Sequence, residues 1–147
     1  MKKSIFLILA IAMGFTACED DDLRNSDIPS VVLNGFTEEF PNATGVEWEK
    51  KAEFFEAEFA LENVDYEAVL NTEGSLIKYK YDMVYDDLPA AVKTTITTDY
   101  DKTKIDEVEL LKISENTYYQ VEFEEEPTDA NVIFEETGEV TTEITTW

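Results

Sequence analysis

Apolar residues recur four apart at Val32, Phe36 and Phe40, and again at Val92, Ile96 and Tyr100, the spacing that lays a single stripe along a helix. Each stripe follows a proline, in Ile28-Pro29-Ser30-Val31-Val32 and in Leu88-Pro89-Ala90-Ala91-Val92. Proline suits the first turn of a helix, where its missing N–H has no partner to lose. Downstream the period drops to two. Phe55-x-Ala57-x-Phe59 is matched by Tyr119-x-Val121-x-Phe123, and Ala68-x-Leu70-x-x-x-Gly74-x-Leu76 by Val132-x-Phe134-x-x-x-Gly138-x-Val140. Such alternation predicts half-buried strands, with the glycines in tight turns.

The chain therefore repeats itself, each half a helix followed by about four antiparallel strands. The strands are expected at 46–49, 53–61, 65–70 and 75–85, then at 105–112, 117–124, 131–135 and 139–146. A one-stripe helix and a sheet with one apolar face bury each other, so the expected class is α+β, with the helices packed on one face of the sheet. Halves of this size are marginal alone and should join in one extended sheet or pack tightly together. The expected organisation is a leader at 1–17, an acidic tether at 18–27, a first repeat at 28–86 and a second at 87–147.

If Phe55, Ala57 and Phe59 point toward the helix, Phe54, Glu56 and Glu58 point away, and the same parity turns Tyr118, Gln120 and Glu122 outward. Trp48, in step with Val46, is expected in the core. Carrying the repeat into 75–85 puts Leu76, Lys78 and Lys80 inside and leaves Ile77, Tyr79 and Tyr81 on the outer face. Two explanations are open. A bulge could turn Tyr79 and Tyr81 into the core, or the outer face presents Phe54, Tyr79, Tyr81 and Tyr118 as aromatic contacts within an acidic rim of Glu47, Glu56, Glu58, Glu67 and Glu122.

The run Phe36-x-x-x-Phe40-Pro41-Asn42-Ala43-x-x-Val46-x-Trp48, the alternating strand after it, the turn at Gly74 and the restart at Leu88-Pro89-x-x-Val92 resemble the PepSY-like, beta-lactamase-inhibitor-like family of exported bacterial proteins. The resemblance spans 28–147 and implies tandem helix-plus-four-strand repeats without an assigned activity. The second copy departs from it, with Asp101-Lys102-Thr103 in place of Pro-Asn-Ala and Val108 near the tryptophan position.

Charge and the first residues narrow the setting. Met1-Lys2-Lys3 and the apolar run from Ile5 to Met13 read as a signal peptide, too short to span a bilayer. Phe15-Thr16-Ala17-Cys18 resembles the bacterial lipobox, with Phe15 where leucine is usual, and Cys18 is the single cysteine. Cleavage before Cys18 and lipid attachment to it are expected. Glu19-Asp20-Asp21-Asp22 is similar to a surface-export signal, and equally fits a solvated tether. The expected location is the outer membrane, as a lipoprotein at the cell surface or on the periplasmic face. The formal charge of −23 repels phosphate backbones and anionic headgroups, which excludes nucleic acid and leaves the lipid anchor as the only membrane contact. With 44% hydrophobic and 12% aromatic residues, the chain is expected to fold rather than to stay disordered.

The chain has no histidine, which removes Ser-His-Asp, Cys-His and histidine-metal chemistry together. No phosphate-cradling glycine loop is present. The clusters Asp86-Asp87 and Glu124-Glu125-Glu126 with Asp129 lack calcium-loop spacing. The expected function is thus a non-catalytic binding module for a protein, peptide or envelope component, with no cofactor and no metal. A calcium-dependent structural or adhesive protein is the alternative, and a two-carboxylate hydrolase stands third.

Overall fold

The computed structural model describes residues 22–125, 128–145 and 147. The leader at 1–17 and Cys18 lie outside the described residues. Among the described residues nine strands, β1 (Asp22–Leu23), β2 (Thr44–Lys51), β3 (Phe54–Leu61), β4 (Val64–Leu70), β5 (Leu76–Asp82), β6 (Ile105–Ile113), β7 (Asn116–Phe123), β8 (Ala130–Glu135) and β9 (Val140–Thr141), form one antiparallel sheet in chain order. Helix α1 (Ser30–Glu39) precedes β2 and α2 (Ala90–Asp99) precedes β6, the two-part α+β arrangement that the hydrophobic spacing predicts. The seam between the halves is an ordinary strand pair, β5 with β6, from Lys78↔Ile113 to Asp82↔Glu109.

Residues paired directly across neighbouring strands project to the same face. The row Phe59–Tyr66–Tyr81–Leu110–Tyr119–Phe134 therefore marks one face across both halves. On the α1 stripe, Phe36 meets Trp48 and Phe59 edge-on at 5.1 and 4.9 Å between ring centres. Val32 and Phe36 share a buried cluster with Trp48, Phe55, Ala57, Phe59, Ala68 and Leu70. Val92 and Ile96 of α2 likewise cluster with Val108, Val121, Phe123 and Phe134. Tyr100 stacks on Phe123 at 4.9 Å.

Each helix docks on a strand turn through backbone contact. A Cβ on Gly35 would lie 1.9 Å from the Gly74 carbonyl oxygen, and one on Gly74, at φ +81°, 2.3 Å from that of Val31. At the equivalent place in the second half Thr95 replaces Gly35, and its hydroxyl donates to the Gly138 carbonyl at 2.8 Å.

Two expectations about segments change. Residues 22–27 of the expected tether are ordered: Asp22 and Leu23 pair with Glu49 and Trp48, and Asn25–Asp27 form a 3-10 turn. The last strand, expected to run to 146, stops at Thr141. Beyond it the chain bends away from the sheet edge, and Trp147 comes to rest over β5.

Candidate functional site

The parity conflict in β5 is resolved by a bulge. Val69 pairs with Lys78 but Leu70 pairs with Leu76, so Ile77 is an extra residue in the ladder. One extra residue inverts every side chain beyond it. Leu76 stays with the α1 cluster, while Tyr79 and Tyr81 turn to the aromatic face and Lys78 and Lys80 to the opposite one. Tyr79 lies edge-on to Phe40 at 5.7 Å, and Tyr81 stacks on Tyr66 at 4.8 Å. Both tyrosines are half-buried. The placement of Lys78 and Lys80 inside the core is corrected: an ammonium buried against aromatic rings has no counter-ion, whereas the opposite face supplies glutamates.

Phe54 and Tyr118 do lie on that opposite face, Phe54 across from Lys51 and Tyr118 between Leu111 and Glu135. Three strands lie between them, four strand spacings or about 19 Å across the sheet. The four aromatic candidates are thus not brought together. Two share each face.

The Lys80 face has a polar centre. Lys80 Nζ lies 2.8 Å from Glu109 Oε1 and 3.1 Å from Glu67 Oε1. Gln120 Nε2 donates to Glu109 Oε2 at 2.7 Å, and the Trp147 backbone N–H donates to Gln120 Oε1 at 3.2 Å. Glu109 is only 3% exposed, so both its oxygens need these partners. Burial pulls the Lys80 pKa down, but hydrogen bonds and charge from Glu109 and Glu67 outweigh it and hold the group above its ordinary value. Lys78 has no such ion pair, and burial draws its pKa below the ordinary value. Its Nζ instead sits 3.8 Å from the centre of the Trp147 ring, with Lys80 Nζ at 5.6 Å.

Toward β2 the same face is acidic. Glu47, Glu58 and Glu67 stand directly opposite one another in a row, and Glu49 faces Glu56. Lys51 bridges the second pair at 2.7 and 3.7 Å, whereas among the described residues the first row meets a cation only at its Lys80 end. At the ends of β2 to β5 a groove of about 250 Å³ is lined by Glu47, Glu58, Asp65, Glu67, Asp82 and Glu109 among others. Carboxylate oxygens of Asp82, Glu107 and Glu109 lie within 4.8 Å of one another. Burial first, and then the Glu109 charge, raises the pKa of both Asp82 and Glu107.

Sequence reasoning missed Lys80, Gln120 and Trp147. A signal was present: in a chain with 11 basic residues against 34 acids, two lysines alternate with two tyrosines on one strand, and paired lysines there call for carboxylate partners.

The geometry is that of a tandem α+β module with an acidic rim beside a satisfied polar centre on one sheet face. The chain belongs to the family described as "Putative beta-lactamase-inhibitor-like, PepSY-like", whose model matches twice, at residues 15–78 and 77–142. Its fold is shared with solved structures of low identity. A protein of Bacteroides eggerthii described as a putative periplasmic protein superposes with a TM-score of 0.71 at 18% identity, over 76% of this chain and 84% of that one. A DUF2874 family protein of Bacteroides uniformis gives 0.69 at 19%, over 76% and 85%. A BLIP-like protein of Bacteroides fragilis gives 0.68 at 20%, over 77% and 82%. No curated protein matches the chain.

Proposed function

We propose that this protein is an exported, non-catalytic binding module that holds a cationic protein or peptide of the cell envelope on its Lys80 face. The observation that carries the reading is the row Glu47–Glu58–Glu67. Like charges directly opposite on neighbouring strands destabilise a sheet; Lys80 offsets Glu67, whereas Glu47 and Glu58 meet no cation among the described residues. A basic partner surface would turn that cost into affinity and steer its approach. Both helices lie against the aromatic face, which leaves the Lys80 face as the broad surface for a partner. The family and the neighbour described as periplasmic fit export, and the pattern around Cys18 supports lipid anchoring at the outer membrane. Loss of palmitate labelling in Cys18→Ser would support that anchor, and undiminished labelling would remove it.

The test of binding is affinity capture from envelope extracts on wild type and on the Glu47→Gln/Glu58→Gln variant. A basic protein retained by the wild type, released by salt and lost from an equally stable variant is the expected result. Equal retention by both proteins rejects the acidic rim as the contact.

A calcium-dependent structural role has one observation in its favour, the proximity of Asp82, Glu107 and Glu109. Against it, both Glu109 oxygens are already engaged by Lys80 and Gln120. A melting temperature indifferent to millimolar calcium and to chelator removes this reading. The acid-lined groove meets the shape a two-carboxylate hydrolase needs, but Lys80 ties two of its acids into ion pairs.

A further inference from the structure

On the Lys80 face, burial is uneven. Over β2 and β3 Glu47 and Glu58 are exposed, whereas over β6 to β8 Leu111 is 1%, Ile133 3% and Gln120 6% exposed. The bend after β9 crosses this half, because Trp147 binds Gln120 on β7 and lies over Lys78 on β5 while Thr141 still pairs with Ile133 on β8. Trp147 therefore ties the second half to the last strand of the first.

Its grip is light. Among the described residues, one backbone hydrogen bond and the contact of the indole with Lys78 and Lys80 hold Trp147 in place, and the indole Nε1 is buried with no acceptor. A group buried with an unmet donor is an imperfect occupant of its seat. The seat itself is well made: two ammonium groups for the face of an aromatic ring, and a glutamine amide whose orientation is fixed by Glu109. Lys78 is free of ion pairs in the described structure, so the ring is its main polar contact.

We propose that Trp147, with the described residues 142–145, acts as a displaceable strap, and that the seat formed by Lys78, Lys80 and Gln120 recognises an aromatic side chain carried on an extended segment, filled in cis by Trp147 and open to a partner's segment when the strap lifts. This rests on the reading that the Lys80 face is the binding face. It adds that the face is half closed in the unbound protein and that a partner must bring an aromatic residue beside its basic ones.

The seat can be tested with the chain's own segment as probe. A labelled peptide of sequence Val-Thr-Thr-Glu-Ile-Thr-Thr-Trp, copied from 140–147, is titrated by fluorescence anisotropy into full-length wild type, Trp147→Ala and Trp147→Ala/Gln120→Ala. The expected result is binding to Trp147→Ala at least tenfold tighter than to wild type, lost in the double variant and lost when alanine replaces the peptide's tryptophan. Trp147→Ala that melts like wild type yet binds no better overturns the proposal. A large melting loss in Trp147→Ala also overturns it, because the indole would then be core rather than strap. Peptide binding without capture of any basic protein would leave the seat standing and reject the proposed partner; capture without peptide binding would do the reverse.

Discussion

Lys80 and Glu109 meet at 2.8 Å across the β5–β6 seam, one residue from each half of the tandem. The pair is mostly buried, and Glu109 takes a second bond from Gln120. Removing one partner of such a pair strands a charge, while neutralising both does not. Lys80→Met is expected to lower stability by about 2–4 kcal/mol, and Lys80→Met/Glu109→Gln to recover more than half of that loss. Urea unfolding of the three proteins checks it, and equal losses in single and double variants would contradict it.

The helix dockings of the two halves predict different sensitivities. Gly74→Ala drives a Cβ to 2.3 Å from a backbone oxygen at a positive φ, so a loss of about 3 kcal/mol or more is expected. Thr95→Ala removes one hydroxyl bond to Gly138 and should cost about 1 kcal/mol. Thermal melts of the two variants rank them, and a reversed order would show that the halves do not dock as described.

Tyr79 touches Phe40 and stacks beside Tyr81 at 6.5 Å. Tyr79→Ser should therefore lower stability by about 2–3 kcal/mol while leaving capture of a partner on the other face unchanged. Binding lost at unchanged melting temperature would instead place Tyr79 in the interface.

Burial raises the carboxyl pKa values of Glu56, Asp82 and Glu107 in the folded chain. A raised folded-state value means the native protein holds these protons more tightly than the unfolded chain. Their contribution then grows as pH falls from neutral toward the ordinary carboxylate range near about pH 4. Asp101 runs the other way, its pKa lowered by hydrogen bonds from Thr103. The expected result is a higher melting temperature at pH 5 than at pH 7, with a smaller difference in Asp82→Asn/Glu107→Gln. An unchanged difference would show that these two acids do not drive it.

What was legible in the sequence was local. Period-four stripes after Pro29 and Pro89, period-two runs and the glycines at 74 and 138 determined the helices, eight strand positions and the repeat, because each depends on residues a few places apart. The same residues carried the family. Only the tertiary structure decided which face β5 presents, since the single extra residue Ile77 is set by how Val69 and Leu70 pair with the next strand. It also decided where the segment after Thr141 goes. Nothing within 142–147 specifies Gln120 or Lys78 as neighbours; those contacts form between positions 27 and 69 residues apart, and only the assembled sheet brings them together.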